Sequence, residues 1–233
     1  MGLACSSAMV LKEALGGWQP VEANQVWVIS RKTGELVSKM DTEAVFVWHS
    51  LNAFDRGEEI IADFVGSDAE FHTVMRSQPG VANAPGTVRR YVINPLTSEA
   101  NTSIVAAGYH EFPMINPSRY CRAHSVGYFS KASGEGTNLH NGLTKVNMET
   151  GAGQEFFYGN HVHVGETVFI ADKQNPQDDN QGWLISQFLD GQQGKSGFAI
   201  FSASSLNDGP VSELIMETNS PLSFHGWWTS EVA

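Results

Sequence analysis

The sequence predicts an all-β fold built from many short strands. Apolar runs of about four to seven residues recur along the 233-residue chain and are separated by clusters of turn-forming residues. Only residues 68–76 have a spacing that favours a helix. The 23 glycines and nine prolines are spread along the chain, which indicates many short elements joined by turns. Regularly spaced short strands are typical of a β-sandwich or a β-propeller.

The strands can be placed in order along the chain. Residues 25–30 and 36–40 flank the charged turn RKTGE and predict a first hairpin. Residues 44–65 predict a second hairpin with one buried face, because two apolar runs enclose an acidic turn. Residues 108–117 contain two prolines, and we expect an irregular connection there. The further predicted strands are residues 88–94, 119–130, 198–202 and 211–217. Residues 145–151 predict a strand that leads into a turn, and residues 178–186 predict an acidic turn that leads into a buried strand.

The amino-acid composition argues against some classes of binding partner. A net charge of −11 argues against a nucleic-acid partner, which requires a basic face, and the chain has no polybasic signal for anionic membranes. The longest apolar runs are too short for a transmembrane helix. Two cysteines, Cys5 and Cys121, are too few for a disulfide framework and favour a reducing compartment, so we predict a cytoplasmic protein.

Two polar side chains lie in apolar surroundings. His49 ends the first apolar run of the second hairpin, and the residues alone predict a core histidine bonded to a backbone carbonyl. Glu111 lies among apolar residues in the segment EFPMIN, and the residues alone predict a carboxylate that caps local backbone amides.

Four segments in the same order, FVWHSLNAFDRGEEI, EFPMIN, GETVFI and PLSFHG, resemble the motifs of the carotenoid cleavage oxygenase family. The resemblance implies a seven-bladed β-propeller with an axial non-haem Fe(II) held by four histidines. It implies that His49 and His225 are two of these ligands. Glu111 and Glu166 would accept hydrogen bonds from ligand histidines. Thr167 stands where the family usually has proline.

The pair His161 and His163 is a rival metal site, because a strand would point both side chains to one face. The spacing to Glu166 is too short for a cupin signature, and no glycine lies at the expected upstream position. We therefore expect a solvated or loop pair.

We predict a single domain, residues 1–233. The resemblance runs from about Trp18 to Trp228 and covers only the C-terminal half of the family domain. The first two iron histidines of the family lie upstream of the matched region, and none of the other histidines here sits in a matching motif. Self-association or an N-terminal half outside this sequence would complete the site.

Two functions follow. The first is a non-haem Fe(II) dioxygenase that uses O2 to cleave a C=C bond of a small apolar conjugated substrate, namely a carotenoid, apocarotenoid or stilbene, into two carbonyl products. The second is a truncated, catalytically silent propeller fragment that acts only as a binding or structural module. Membrane contact is left open.

Overall fold

The structure, a computed structural model, describes residues 21–68, 86–134 and 139–230. This part of the chain contains strands and two short 3-10 helices, Pro117–Arg119 and Leu206–Asp208, and no α-helix. The all-β prediction is confirmed. The predicted helix at 68–76 lies, beyond residue 68, outside the described residues. The strands are β1 (Asn24–Ile29), β2 (Leu36–Thr42), β3 (Phe46–Arg56), β4 (Glu59–Ser67), β5 (Thr87–Asn94), β6 (Glu99–Ala106), β7 (His110–Met114), β8 (Val126–Lys131), β9 (Gly142–Asn147), β10 (Gly153–Phe157), β11 (Val162–Ala171), β12 (Gly182–Asp190), β13 (Lys195–Ser202) and β14 (Pro210–Ile215).

The strands form three four-stranded antiparallel sheets, preceded by the two-stranded sheet β1–β2. We call them the first blade (β3–β6), the second blade (β7–β10) and the third blade (β11–β14). Within each blade every strand pairs with its neighbours in sequence, so each blade is a simple meander. Repeated four-stranded meanders are the units of a β-propeller. The described residues therefore form part of a propeller, and none of their sheets closes on itself.

The blades pack face to face, and the apolar core lies between them. Successive side chains of a strand point to opposite faces. In β4, Phe64 packs towards the two-stranded sheet, whereas Val65 packs towards the second blade. A larger cluster, which includes the fully buried Phe201, fills the space between the second and third blades. Burial of each such large side chain stabilises the fold by roughly 1.5–3 kcal/mol.

Two sequence expectations were wrong in detail. Residues 119–130 are not one strand: the chain forms a 3-10 helix and a turn before β8, and Cys121 has a left-handed φ of 59° that no strand contains. Residues 108–117 are not wholly irregular, since β7 pairs with β8. The prolines mislead here because Pro113 falls inside a register shift of β7, where no ladder hydrogen bond is required of it.

The two outermost sheets leave apolar side chains uncovered. Trp27 of β1 and Leu36 of β2 are more than half exposed on the two-stranded sheet. Trp183, Phe198 and Leu214 are exposed on the third blade. No helix in the described ranges is long and apolar enough to span a membrane.

Candidate functional site

His49 lies in the irregular part of β3 and is held by Glu111 from the second blade. The register of β3 shifts on both sides of His49, and such bulges re-aim a side chain. Its Nδ1 lies 2.6 Å from Oε2 of Glu111. This hydrogen bond raises the pKa of His49, against the opposing effect of burial. Among the alternatives for His49, the structure therefore gives a carboxylate partner in place of a backbone carbonyl.

Glu111 binds both a local backbone amide and the His49 imidazole. Its Oε2 also accepts a 2.6 Å hydrogen bond from the backbone N–H of Phe112. Phe112 has a left-handed φ of 50°, which costs a non-glycine residue conformational energy. The bent backbone brings the Phe112 ring to 5.5 Å from the His49 ring and lets one carboxylate bind both the local amide and the imidazole.

His225 is held in the same manner by Glu166. Glu166 lies at a register shift of β11, in the third blade. Its Oε1 is 3.2 Å from Nδ1 of His225, and its Oε2 accepts a 2.7 Å hydrogen bond from the N–H of Gly226. The Glu166 side chain is 12% exposed and the His225 side chain 59% exposed, so the carboxylate is the rigid partner of the pair.

These two histidines meet. Their ring centroids are 5.2 Å apart and the ring planes cross at 76°. Each Nδ1 lies within hydrogen-bond distance of a carboxylate, so in the neutral imidazole the proton sits on Nδ1 and the Nε2 lone pair can bind a metal. No hydrogen bond to either Nε2 is found within the described ranges.

This donor set fits half of a metal centre. Imidazole nitrogens bind Fe, Zn, Cu and Ni, and ligating histidines almost always donate their other N–H to a carboxylate or carbonyl. In addition, Oε1 of Glu111 is buried without a hydrogen-bond partner. Over residues 21–68, 86–134 and 139–230, however, no group of three or more His, Cys, Asp or Glu side chains could hold a metal ion. The two Nε2 atoms are available, and a metal bound there would need further ligands from outside the described residues.

His161 and His163, the rival metal site, do not lie together on one face of a single strand. His161 is exposed and precedes β11, whereas His163 is half-buried within β11. Nδ1 of His163 is buried and has no hydrogen-bond partner in the described part of the chain.

Asn52, three residues after His49, positions the turn that leads to β8. Its Nδ2 donates to the carbonyl oxygen of Arg122 at 2.9 Å, and its Oδ1 accepts from the N–H of Cys121 at 3.0 Å. This asparagine lies within the first of the four motifs, and the sequence predicts no role for it. The motif therefore marks Asn52, but the hydrogen-bond partners of its side chain are about 70 residues away in sequence and could not be inferred.

A buried ionic cluster lies behind the His49 hairpin, between the first and second blades. Arg90 donates to both carboxylate oxygens of Asp63, at 2.7 and 2.9 Å, and to Glu149 at 2.8 Å. Nε2 of His124 is 3.3 Å from Asp63. The hydrogen bond to Asp63 raises the pKa of Arg90, and burial lowers the pKa of His124. This cluster joins β4 and β5 of the first blade to the turns that hold His124 and Glu149 in the second blade, and no motif indicated it.

The acidic turn before β12 connects the third blade to the second blade. Asp179 is buried, and its two carboxylate oxygens accept from the N–H and hydroxyl of Ser125 at 2.6 and 2.9 Å. Its carbonyl oxygen accepts from the Tyr128 hydroxyl at 2.9 Å. The turn thus ties the third blade to the start of β8.

Comparison with known proteins gives one family. The family model described as RPE65, retinal pigment epithelial membrane protein, matches residues 4–230. The apocarotenoid-15,15'-oxygenase of Synechocystis sp. is 24% identical over 220 residues, which is 91% of this chain and 44% of that protein. The chloroplastic 9-cis-epoxycarotenoid dioxygenase NCED1 of Oryza sativa subsp. japonica is 25% identical over 79% of this chain and 29% of its own length.

Solved structures share the fold. An ACO/RPE65 chimera superposes with a TM-score of 0.81 at 22% identity, covering 91% of this chain and 45% of the chimera. Cobalt-substituted Synechocystis ACO gives a TM-score of 0.79 at 22% identity, with the same coverage. The chain thus spans less than half the length of these relatives.

Proposed function

Because the chain belongs to the RPE65, or retinal pigment epithelial membrane protein, family, we propose that it supplies the C-terminal half of a non-haem Fe(II) dioxygenase. The reaction adds O2 across a C=C bond of a carotenoid, apocarotenoid or stilbene and yields two carbonyl products. The observation that carries this proposal is the approach of His49 and His225, each with Nδ1 bound by a carboxylate. The membership confirms the resemblance to carotenoid cleavage oxygenases; the relatives named above are an apocarotenoid oxygenase and an epoxycarotenoid dioxygenase.

His49 and His225 would hold the iron through Nε2. Iron(II) bound there would supply the binding and activation of dioxygen. Glu111 and Glu166 keep each imidazole in the tautomer that ligates metal and resist its rotation. Their two negative charges also offset the charge of a divalent ion at a site that is partly removed from water.

Phe112 gives the candidate site an apolar wall. Its ring lies 5.5 Å from that of His49, 6.2 Å from that of His225 and 6.3 Å from that of Phe224. An aromatic surface next to the ligand nitrogens excludes water and favours a flat conjugated substrate over a charged one. This supports a small apolar substrate without distinguishing carotenoid from stilbene.

Two further ligands are needed, and we propose that they come from an N-terminal half or from a second copy of the chain. The chain covers 44% of the Synechocystis relative, and its first and last sheets expose apolar faces. Exposed apolar sheet faces of this kind are expected to pack against further blades.

A second candidate function is supported by a different observation. Within the described ranges no group of three metal-ligating side chains exists, and two imidazoles hold iron weakly. On this alternative the polypeptide is a catalytically silent fragment that acts as a binding or structural module.

Iron content separates the two candidates. The purified 233-residue chain is loaded anaerobically with Fe(II), desalted and analysed for metal, alongside His49→Ala, His225→Ala and the control His161→Ala. Near-stoichiometric iron in the wild type and the control, lost in both site variants, supports the iron centre and justifies assays with O2 on apocarotenoids and stilbenes. Equal iron in all four proteins contradicts a metal site in this chain and favours the silent fragment.

A further inference from the structure

The segment that carries His225 has no regular structure of its own. Residues 219–228, here called the C-terminal segment, follow β14 and are almost entirely exposed. An exposed segment without backbone pairing can sample many conformations, and fixing it in one of them costs conformational entropy. Side-chain contacts to the third blade must therefore determine where His225 lies.

Three side chains of the third blade hold this segment in succession. Oγ of Ser196, in β13, accepts from the N–H of Ser220 at 2.8 Å. Gln187, in β12, binds residues 221 and 223, and Glu166, in β11, binds His225 and Gly226. Since β13, β12 and β11 are adjacent in the sheet, the C-terminal segment crosses the blade one strand at a time.

Gln187 is the central and most completely bonded of these contacts. It is 6% exposed. Its Nε2 donates to the carbonyl oxygen of Pro221 at 2.9 Å, and its Oε1 accepts from the N–H and hydroxyl of Ser223 at 2.9 and 3.1 Å. A primary amide carries a donor and an acceptor in one plane, as a peptide group does. Gln187 thus pairs with residues 221–223 as the backbone of a neighbouring strand would.

Glu166 alone is a weak hold on His225. The imidazole side chain is 59% exposed, so water competes for its hydrogen bond, and the 3.2 Å distance is at the long end for such a contact. The Gln187 contacts are shorter and shielded from water, and they end two residues before His225. Their loss would release the backbone on which the imidazole depends.

We propose that Gln187 is the positioning residue for His225: its side-chain amide selects the path of residues 221–223 that brings the imidazole to Glu166 and beside His49. The importance of this for catalysis rests on the proposed function. The conformational claim does not, because it concerns the metal-free chain.

Amide hydrogen exchange of the metal-free, full-length chain tests the proposal by NMR. Gln187→Met keeps the approximate volume and removes all three hydrogen bonds, Gln187→Glu keeps an acceptor and removes the donor, and Gln192→Met changes an exposed glutamine in the turn after β12. The residue to follow is Gly226, whose N–H binds Glu166 and has no contact with Gln187.

We expect Gln187→Met to speed exchange at Ser223 and also at Gly226 by about tenfold or more, because the three hydrogen bonds that fix residues 221–223 are lost. Gln187→Glu should give a smaller increase and Gln192→Met none. The 15N shift of His225 Nδ1 should move away from that of a single tautomer in Gln187→Met. Faster exchange at Ser223 with unchanged exchange and tautomer at residues 225–226 would overturn the proposal, as would faster exchange throughout β11–β13. A negative iron assay would leave these results unaffected.

Discussion

The imidazole rings of His49 and His225 lie with their centroids 5.2 Å apart, although one belongs to the first blade and the other follows the third. Each is bound through Nδ1 by a glutamate from a different strand, β7 for Glu111 and β11 for Glu166. Three sheets therefore contribute to one small volume. Convergence of side chains from successive blades is how a propeller builds a site from residues far apart in sequence.

The carboxylates should matter for metal affinity as well as for geometry. We expect Glu111→Gln and Glu166→Gln each to weaken Fe(II) binding by roughly 10–100-fold, because the amide no longer holds the imidazole N–H as strongly. Anaerobic titration calorimetry measures this, with Glu213→Gln as a control, since the Glu213 carboxylate accepts a hydrogen bond from the Tyr158 hydroxyl outside the site. Equal affinities in the three variants would show that the glutamates do not support a metal.

Much of the fold could be predicted because strand and turn signals are local. The hairpin at residues 44–65 appears as β3 and β4 with Gly57 at a left-handed φ of 65° in the turn, as its acidic, glycine-containing sequence indicates. The prediction of a continuous strand over residues 119–130 was wrong because contacts with residues distant in sequence determine the conformation there. The turn at Cys121 depends on the amide of Asn52, and nothing near Cys121 in sequence shows that this amide is there.

The candidate site likewise contains residues that the sequence could identify and one residue that it could not. His49, Glu111, Glu166 and His225 could be selected because each lies in a motif, and their roles toward a metal stay predictions. Gln187 could not be selected, since a glutamine within an apolar strand has no local feature that marks it as buried. Its role depends on a segment that returns to β12 more than 30 residues later.

The buried ion pair between Asp63 and Arg90, which are cross-strand neighbours in the first blade, offers a test of how a buried charge pair stabilises that blade. We expect Asp63→Asn to destabilise the fold by about 3–5 kcal/mol, because it leaves the guanidinium buried and incompletely paired. The exposed pair Arg56–Glu59 is the matched control, and Glu59→Gln should cost less than about 1 kcal/mol. Urea denaturation of both variants gives the comparison, and similar midpoints would contradict the buried assignment.

His110 should make stability depend on pH. Burial lowers its pKa to about 4, while its Nδ1–H donates to the carbonyl oxygen of Gly86. The unfolded histidine, with a pKa near 6.5, takes up a proton before the folded one does, so this residue disfavours the folded state progressively as pH falls from about 6.5 to 4. The loss approaches about 1.4 kcal/mol per pH unit in that window and is absent above it.

His110→Asn keeps a donor for Gly86 and removes the titration. We therefore expect the free energy of unfolding of this variant to fall less steeply between pH 6.5 and 4 than that of the wild type, with the two slopes equal above pH 7. The exposed His161→Asn should follow the wild type. Denaturant unfolding at several pH values measures the slopes, and parallel curves for His110→Asn and wild type would refute the assignment.

The uncovered sheet faces should make the isolated chain self-associate. Leu214 is 58% exposed on the third blade and Leu36 is 53% exposed on the two-stranded sheet, at the two ends of the row of blades. Such faces are stabilised by contact with another apolar surface. We expect a concentration-dependent rise in mass by sedimentation velocity, reduced by Leu214→Glu or Leu36→Glu. Leu96 is also exposed, at 74%, but lies in the turn between β5 and β6, so Leu96→Glu should associate as the wild type does. If all three variants associate equally, contact through the blade faces is excluded. If the wild type stays monomeric at every concentration, a second copy of the chain does not complete the site. The proposed iron centre would then require an N-terminal half.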